Sequence, residues 1–519
     1  MFFSKNRHSQ LVACFPQIKI CDKLIVTTKI FLSVLLLSAI EGCGKVKNQA
    51  SNNDSNSKRP NVLFIFTDDQ RADALGCAGN PYIKTPNIDR LAEEGIRFTN
   101  CYVMGGHHGA ICAPSRAMLM SGKSLFHVYD KLDGITTLPM HFAAKGYETF
   151  GTGKWHNGAA SYEVSFQKGE NVFLGGMSDH FQTPCRTKGA DGKLTDPVKK
   201  GFSTDLFADA AINFLQNYAA GKREKPFFCY ISFTAPHDPR SPRKDYTGKY
   251  RDSELPLPGN FMGLHPFIFD DLNIRDETLA SWPRTPEIIR ASLADYYALI
   301  THLDDRIGDI SDTLKHYGLY DNTIIVYAAD NGLAIGSHGL LGKQNLYEHS
   351  TKVPLIICGP GIQENQISDA LVYLFDLYPT LTDLCNLPEP DDIDGFNLTK
   401  IIQGEIREVR SSLYTAYRNT ARAVRTKEWK LIWYPQRNYY QLFNLVNDPF
   451  ELVNLADNHD CQKTVTEMIQ LLEEWHRITD DTATLFYERT LSLKYNYKEL
   501  KQTPDIHQPD YVLKKYFER

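Results

Sequence analysis

The stretch 61–67 (NVLFIFT) is apolar almost throughout and rich in β-formers, with no alternation. A run of that kind predicts a strand covered on both faces. The runs at 227–234 (FFCYISFT), 323–329 and 354–358 have the same character. Between them the apolar period changes to that of a helix. Thr85-Pro86 is a cap followed by proline, Ile88, Leu91 and Ala92 form a stripe, and Gly95 ends it. A second helix is predicted over 204–218, with Leu206, Phe207, Ala210, Ala211, Phe214 and Leu215 on one side. A third, over 293–317, turns Tyr297, Ile300, Leu303, Ile307, Ile310 and Leu314 inward. Strands alternating with helices predict an α/β sandwich around a mostly parallel sheet. Beyond residue 408 the pattern shifts. The segments 429–434 (WKLIWY) and 439–445 (YYQLFNL) alternate like a hairpin, and Val465, Met468, Leu472 and Trp475 mark a helix. The chain therefore reads as a large α/β domain over 60–408 and a smaller subdomain over 409–519 built on an antiparallel sheet. The tail from Asp480 carries no assignable period.

The first 59 residues do not read as fold. Lys19, Lys23 and Lys29 precede an apolar run at 30–40 (IFLSVLLLSAI) that is too short to span a bilayer and suits an export signal. Gly42-Cys43 follows at once, as at a lipoprotein cleavage site, although Glu41 departs from the usual pattern. The expectation is an envelope or periplasmic protein with Cys43 as its lipid-bearing residue and no other membrane contact; plain secretion is the alternative. A polar, Asn/Ser-rich stretch at 48–59 then acts as a tether. The 519-residue chain as a whole has ordinary globular composition, 42% apolar and 23% charged, which excludes a disordered or multi-span chain. The 57 basic and 62 acidic side chains leave a net charge of −5, which argues against a nucleic-acid partner.

Open α/β sheets bind ligands at the carboxyl ends of their strands. The strand at 61–67 runs into Asp68-Asp69, and the one at 323–329 into Asp330-Asn331. Three carboxylates and an amide oxygen, with no imidazole or thiolate among them, suit a hard cation, Ca²⁺ ahead of Mg²⁺. Cys112 and Arg116 stand at the start of a predicted helix (CAPSR), where Arg116 would favour an anion. The spacing is not that of a zinc or disulfide site. No basic partner for Cys112 is visible in its sequence neighbourhood. Lys154 and His156 follow Gly153, His237 follows the strand at 227–234, and Lys343 lies in a Gly-rich loop after Asp330. Gathered at one sheet edge, these cations and imidazoles beside a metal would bind a tetrahedral oxyanion.

The motifs RPNVLFIFTDDQ, TPNIDRLAEEGIRFTNCYV, CAPSR, GKWHNG, APH, ADNG, HGLLGKQNLYE and DLYPTL occur in that order over 59–381. With them the chain resembles the type I, formylglycine-dependent sulfatases of the alkaline phosphatase superfamily, in particular bacterial exo-acting carbohydrate sulfatases. The resemblance extends over about 60–457 and implies an alkaline phosphatase-like fold and a sulfuric ester hydrolase. It further implies that a separate maturation enzyme oxidises Cys112 to formylglycine, whose hydrated aldehyde attacks sulfur. Asp68, Asp69, Asp330 and Asn331, with the modified Cys112, would hold Ca²⁺. Arg116 would steady the nucleophile, Lys154 and Lys343 would clamp sulfate oxygens, His156 would take the nucleophile's proton, and His237 would protonate the leaving alkoxide. Ser121 and Lys123 differ from the Thr and Arg common in the family, and His107-His108, expected to be ordinary loop, are unusual.

Specificity in this family resides in loops. The stretch 175–180 (GGMSDH) leads to the expectation that Asp179 or His180 touches a sugar hydroxyl. The expected substrate is a sulfated carbohydrate of a host or algal glycan, with sulfated galactose or N-acetylgalactosamine as the first choice. Two other readings remain open: a phosphonate or phosphate monoester hydrolase, against which Asn331 in place of His argues, and a glycan-binding lipoprotein that is never matured. Cys14, Cys21 and Cys43 belong to the leader, and the seven cysteines left besides Cys112 carry no disulfide assignment.

Overall fold

The computed structural model describes residues 59–503 and 508–517. The export signal, Cys43 and the tether before Arg59 lie outside the described residues. No helix among the described residues is long and apolar enough to cross a membrane.

A nine-stranded sheet organises the chain. Its order is Gln366–Ser368, Gly95–Tyr102, Lys352–Cys358, Thr323–Ala329, Asn61–Thr67, Phe227–Ser232, Glu148–Lys154 and Lys168–Phe173, with Val372–Tyr373 pairing to Gly95–Tyr102 off this path. Asn61–Thr67 sits at the centre, parallel to both neighbours. Its residues alternate between two cores, which is why the sequence shows no polar face. Val62, Phe64 and Phe66 join one cluster. Leu63 and Ile65 join another, under the helices Ser203–Ala220 and Pro286–His316. One strand departs from the parallel expectation. Lys352–Cys358 runs antiparallel to Thr323–Ala329 and to Gly95–Tyr102. It returns through the loop after Ala329 with no helical crossover of the kind parallel strands require.

The long helix begins earlier than its apolar stripe predicts, at Pro286, because Thr285 caps it by accepting the Ile288 N–H. Ile300, Leu303, Ile307, Ile310 and Leu314 are buried as expected, whereas Tyr297 is half-buried and Tyr296 takes the inner place. The second sheet is antiparallel through Ser412–Tyr417, Ala421–Thr426, Trp429–Tyr434 and Tyr439–Asn444. Gly105–Gly106 adds to it in parallel, linking it to the segment just before Cys112. Helix Gln462–Ile478 packs on this sheet through Met468 and Leu472. The fold is thus an α/β sandwich with a smaller antiparallel sheet, in line with the sequence pattern.

The tail, which has no period, folds back on the large unit. Tyr495 Oη donates to the His265 carbonyl at 2.6 Å, and Gln508 Nε2 donates to Asp238 at 2.8 Å. Val512 and Tyr516 of helix Asp510–Phe517 join the cluster at the start of the long helix.

Candidate active site

Every strand end named from sequence arrives at one place. Asp68 and Asp69 follow the central strand, and the Asp69 N–H donates to Asp330 Oδ1 at 3.1 Å. Asp69 holds a left-handed φ of +61° and His156 one of +68°. Each costs about 1 kcal/mol in an ordinary residue, and here each turns a side chain back over the sheet edge. Cys112 is the first residue of helix Cys112–Ser121, which is buried along its whole length. Arg116 lies one turn on, on the same face. Its Nε donates to Asp330 Oδ2 at 2.9 Å, and its Nη1 donates to the Lys154 carbonyl at 2.9 Å and to Ser232 Oγ.

Cys112 has the basic partners that its sequence neighbourhood lacks. Its Sγ lies 3.1 Å from His156 Nδ1 and 3.4 Å from Lys154 Nζ. Lys154 Nζ donates to Asp68 Oδ2 at 2.5 Å, and Lys343 Nζ to Asp69 Oδ1 at 2.5 Å. Asn331 Nδ2 donates to the same Asp69 oxygen at 2.5 Å. His237 Nε2 stands 3.5 Å from Asp69 Oδ2, while its Nδ1 faces the Asp238 carbonyl at 2.8 Å. All ten of the predicted metal and catalytic residues therefore meet in one cluster, buried except for the half-buried His156.

The electrostatics follow from burial without water. Desolvation, then repulsion from Asp330, raises the Asp68 carboxyl well above the usual range against the pull of Lys154. Desolvation also raises Asp69, with Lys343 opposing. Asp330 is equally buried, but Arg116, Lys154 and Lys343 outweigh that burial and hold it low. Burial alone would lower both lysines. Asp68 instead holds Lys154 high, and Asp69 holds Lys343 well above the usual lysine range. Burial, then Lys154, Arg116 and Lys343, pushes His156 down to about 2. His237 is lowered well below its usual value by burial and then by Lys343. Both imidazoles are neutral at pH 7 in this environment, and a neutral His156 beside Cys112 is a competent proton acceptor.

The cluster also fits a cation. Asp68 Oδ1 and Asn331 Oδ1 are buried acceptor oxygens with no hydrogen-bond donor. Buried orphans of this kind call for a partner. Asp68, Cys112 and Asp330 offer atoms within 4.8 Å of one another, as do Asp68, Asp69 and His237. Oxygen donors dominate the set, which is the preference of Ca²⁺ or Mg²⁺.

A cavity of about 350 Å³ opens over Cys112, His156, His237 and Lys343. Gly176, Met177, Ile274, Arg275, Asp276 and Gln344 also line it. A larger cleft, at the edge formed by Arg97 and Lys352, contains none of the cluster residues. The loop 175–177 does reach the site: a Cβ on Gly176 would lie 2.8 Å from the His156 ring. His180 does not. It is 1% exposed, and its ring nitrogens face Ser203 Oγ at 2.9 Å and the His237 carbonyl at 3.0 Å. Asp179 accepts from the Phe181 N–H at 3.0 Å and is absent from the cavity wall. Neither side chain is among the residues that line this cavity. The loop turns after Met177, so that His180 braces the backbone of His237 from behind. His107 and His108 are also off the wall; His107 bonds the Leu125 carbonyl, and His108 pairs with Asp130. Met177 belongs to the stretch 175–180 singled out from sequence, whereas Ile274, Arg275, Asp276 and Gln344 were not found from it. Arg275 and Asp276 lie in an aperiodic segment with no signal, while the adjacency of Gln344 to Lys343 was a usable one.

A sulfatase family model matches residues 60–387, and a model described as N-sulphoglucosamine sulphohydrolase, C-terminal, matches 336–477. The chain belongs to the sulfatase family. It is a sulfuric ester hydrolase with an alkaline phosphatase-like α/β fold. It is similar to an N-acetylglucosamine-6-O-sulfatase of Bacteroides thetaiotaomicron, 29% identical with 80% of this chain and 86% of the relative covered. It is also similar to a choline-sulfatase of Rhizobium meliloti, 30% identical over 77% of this chain and 83% of that one. Among solved structures, a protein in complex with its substrate D-glucosamine-2-N,6-O-disulfate matches with a TM-score of 0.70 at 26% identity, covering 82% of this chain and 99% of that one.

Proposed function

We propose that this sulfatase hydrolyses an O-sulfate ester on a sugar, with residue 112 as the position of the nucleophile and an exported, envelope-located protein as its working form. The observation that carries the reading is the meeting of Cys112 Sγ with His156 and Lys154 beside the carboxylate cluster, where Cys112, His156, His237 and Lys343 line one cavity. The sulfatases acting on glucosamine-type sugars support a carbohydrate, and they widen the expected sugar beyond galactose and N-acetylgalactosamine to hexosamines generally.

Asp68, Asp69, Asp330 and Asn331 would hold Ca²⁺, which would bring electrophilic polarisation of the sulfate; formylglycine, made from Cys112 by a maturation enzyme, would bring a hydrated aldehyde as nucleophile. The remaining chemistry belongs to the chain's own side chains. Lys154 and Lys343 bind the sulfate oxygens as point charges and leave their carboxylate partners to the cation. Arg116, fixed by Asp330, the Lys154 carbonyl and Ser232, orients residue 112. His156 accepts the proton from the hydroxyl at residue 112. His237 gives its Nε2 proton to the leaving alkoxide; an anionic ester between Lys154 and Lys343 offsets those charges and favours its imidazolium form. A sugar alkoxide is a poor leaving group, so this proton matters most for sugar esters.

Three measurements on protein matured in its native host test the reading. The mass of the residue 112 peptide is expected to fall by the exchange of a thiol for an aldehyde; plain cysteine would favour an unmatured binding protein instead. Aryl sulfate is expected to be cleaved faster than aryl phosphate, and the reverse order would favour a phosphate or phosphonate ester hydrolase. Added Ca²⁺ is expected to raise the melting temperature of the wild type and not of Asp330→Ala; an equal rise in both would remove this cluster as the metal site.

A further inference from the structure

The cavity wall facing the cluster has a charge arrangement that the hydrolysis itself does not use. Arg275 lies between two carboxylates. It pairs with Asp238 on one side, and its Nη1 donates to Asp276 Oδ1 at 2.7 Å on the other. Gln344 Nε2 donates to Asp276 Oδ2 at 2.7 Å and to the Gly109 carbonyl at 2.8 Å. Asp276 is 6% exposed and Gln344 4% exposed, and both line the cavity with Arg275. Each Asp276 oxygen therefore receives one protein donor and keeps acceptor capacity for another. Beside Asp276, Ile274 and Met177 supply an apolar surface.

We infer that Asp276, held by Arg275 and Gln344, is a specificity-determining residue that accepts a hydrogen bond from a hydroxyl of the leaving sugar and turns away sugars with a second anionic group. The inference rests on the sugar-sulfatase reading and deepens it to a substrate class: a monosulfated neutral sugar, in preference to a uronic acid or a disulfated unit. With sulfate bound at Lys343, the alcohol half of the ester would occupy the cavity that Met177, Ile274, Asp276 and Gln344 also line. A fixed carboxylate there is matched by a hydroxyl donor. It is opposed by a carboxylate or sulfate, since burial beside a like charge costs free energy and the Arg275 guanidinium is already engaged by Asp238 and Asp276. The ring's C–H face meets Ile274 and Met177. The arrangement differs from a general polar lining because both Asp276 oxygens are held by side chains from separate segments, which fixes the carboxylate's orientation before the sugar arrives.

The test measures kcat/KM of the matured enzyme on three esters: 6-O-sulfated galactose, 2-O-sulfated hexuronic acid and an aryl sulfate without hydroxyls. Wild type is expected to favour the neutral sugar over the uronate by about tenfold or more. In Asp276→Asn, which keeps shape and removes charge, that preference is expected to shrink. In Asp276→Ala the ratio of galactose sulfate to aryl sulfate is expected to fall by about tenfold or more, the loss of a hydrogen bond to a charged acceptor. Gln344→Ala is expected to lower the same ratio by less, since it only loosens Asp276. A parallel fall on all three esters in both Asp276 variants would mark a structural role and overturn the inference, as would a wild type indifferent to the uronate carboxylate. Those outcomes leave the sulfatase reading standing. No turnover of any sugar sulfate by protein whose residue 112 is shown to be the aldehyde would overturn both.

Discussion

Cys112, His156 and Lys154 illustrate how individual residues acquire chemistry from position. In sequence, Cys112 sits at a helix start with only Arg116 nearby. In three dimensions His156 Nδ1 and Lys154 Nζ both reach its sulfur, at 3.1 and 3.4 Å. The two histidines are predicted to separate by leaving group. His237→Ala is expected to lower kcat on a sugar sulfate by about 10²- to 10⁴-fold and on an activated aryl sulfate by much less, because the aryl oxide departs unprotonated. His156→Ala is expected to lower both alike. Steady-state kinetics on the two substrate types check this, and an equal loss with both substrates in His237→Ala would remove it as the acid. The acidic cluster proposed to hold the cation was legible because Asp68-Asp69 and Asp330-Asn331 directly follow apolar strands, so a topological rule locates them. Cys112, Lys154, His156 and Lys343 were singled out as candidates for one sheet edge, but their separate roles came only through the family resemblance; their spacing alone carries no mechanism. Asp276 was not legible, and its pairing with Gln344 was not either. They meet across 68 positions of chain, and no local pattern encodes a hydrogen bond at that separation.

At the scale of elements, the strand ends demand close backbone approach. Gly153, just before Lys154, has φ +88°, and a Cβ there would lie 1.8 Å from the Ser232 carbonyl oxygen. Gly153→Ala is therefore expected to part the strands Glu148–Lys154 and Phe227–Ser232 at their active ends. The expected readouts are a clear drop in melting temperature and loss of turnover; a variant with wild-type stability and activity would contradict the packing argument. The buried strands and most helices could be read because their periods are local. The helix start at Pro286 was missed in favour of the apolar stripe, although Thr285-Pro286 is itself a start signal. The antiparallel return of Lys352–Cys358 could not be read at all. The run 354–358 is equally apolar in either direction, since both orientations bury both faces.

Across the whole molecule, buried neutral histidines couple stability to pH. Burial holds His265 down to about 3 and His338 down to about 4. An unfolded histidine takes a proton near pH 6.5. Between those values the unfolded chain binds protons that the folded chain refuses, so stability is fully present above about pH 6.5 and declines as pH falls toward 4. Asp330 and Glu348, both held low in the fold, add to the loss below the usual carboxylate range. The melting temperature is expected to be flat near pH 7 to 8 and to fall steadily below about 6.5; a melting temperature unchanged down to pH 4.5 would contradict it. The tail is the other whole-molecule feature that sequence left blank. Its helix Asp510–Phe517 and the Gln508–Asp238 contact hold it beside His237, a closure that depends on distant partners and not on any period of its own.

The central claim is that residue 112, in this cavity, cleaves a sulfate ester of a sugar. Its most direct test is sulfate release from a panel of singly sulfated monosaccharides, comparing matured wild type with Cys112→Ala. The account predicts release from at least one sugar by the wild type and none by the variant. Release by Cys112→Ala at the wild-type rate, or none from any sugar by wild type carrying the aldehyde, would contradict it.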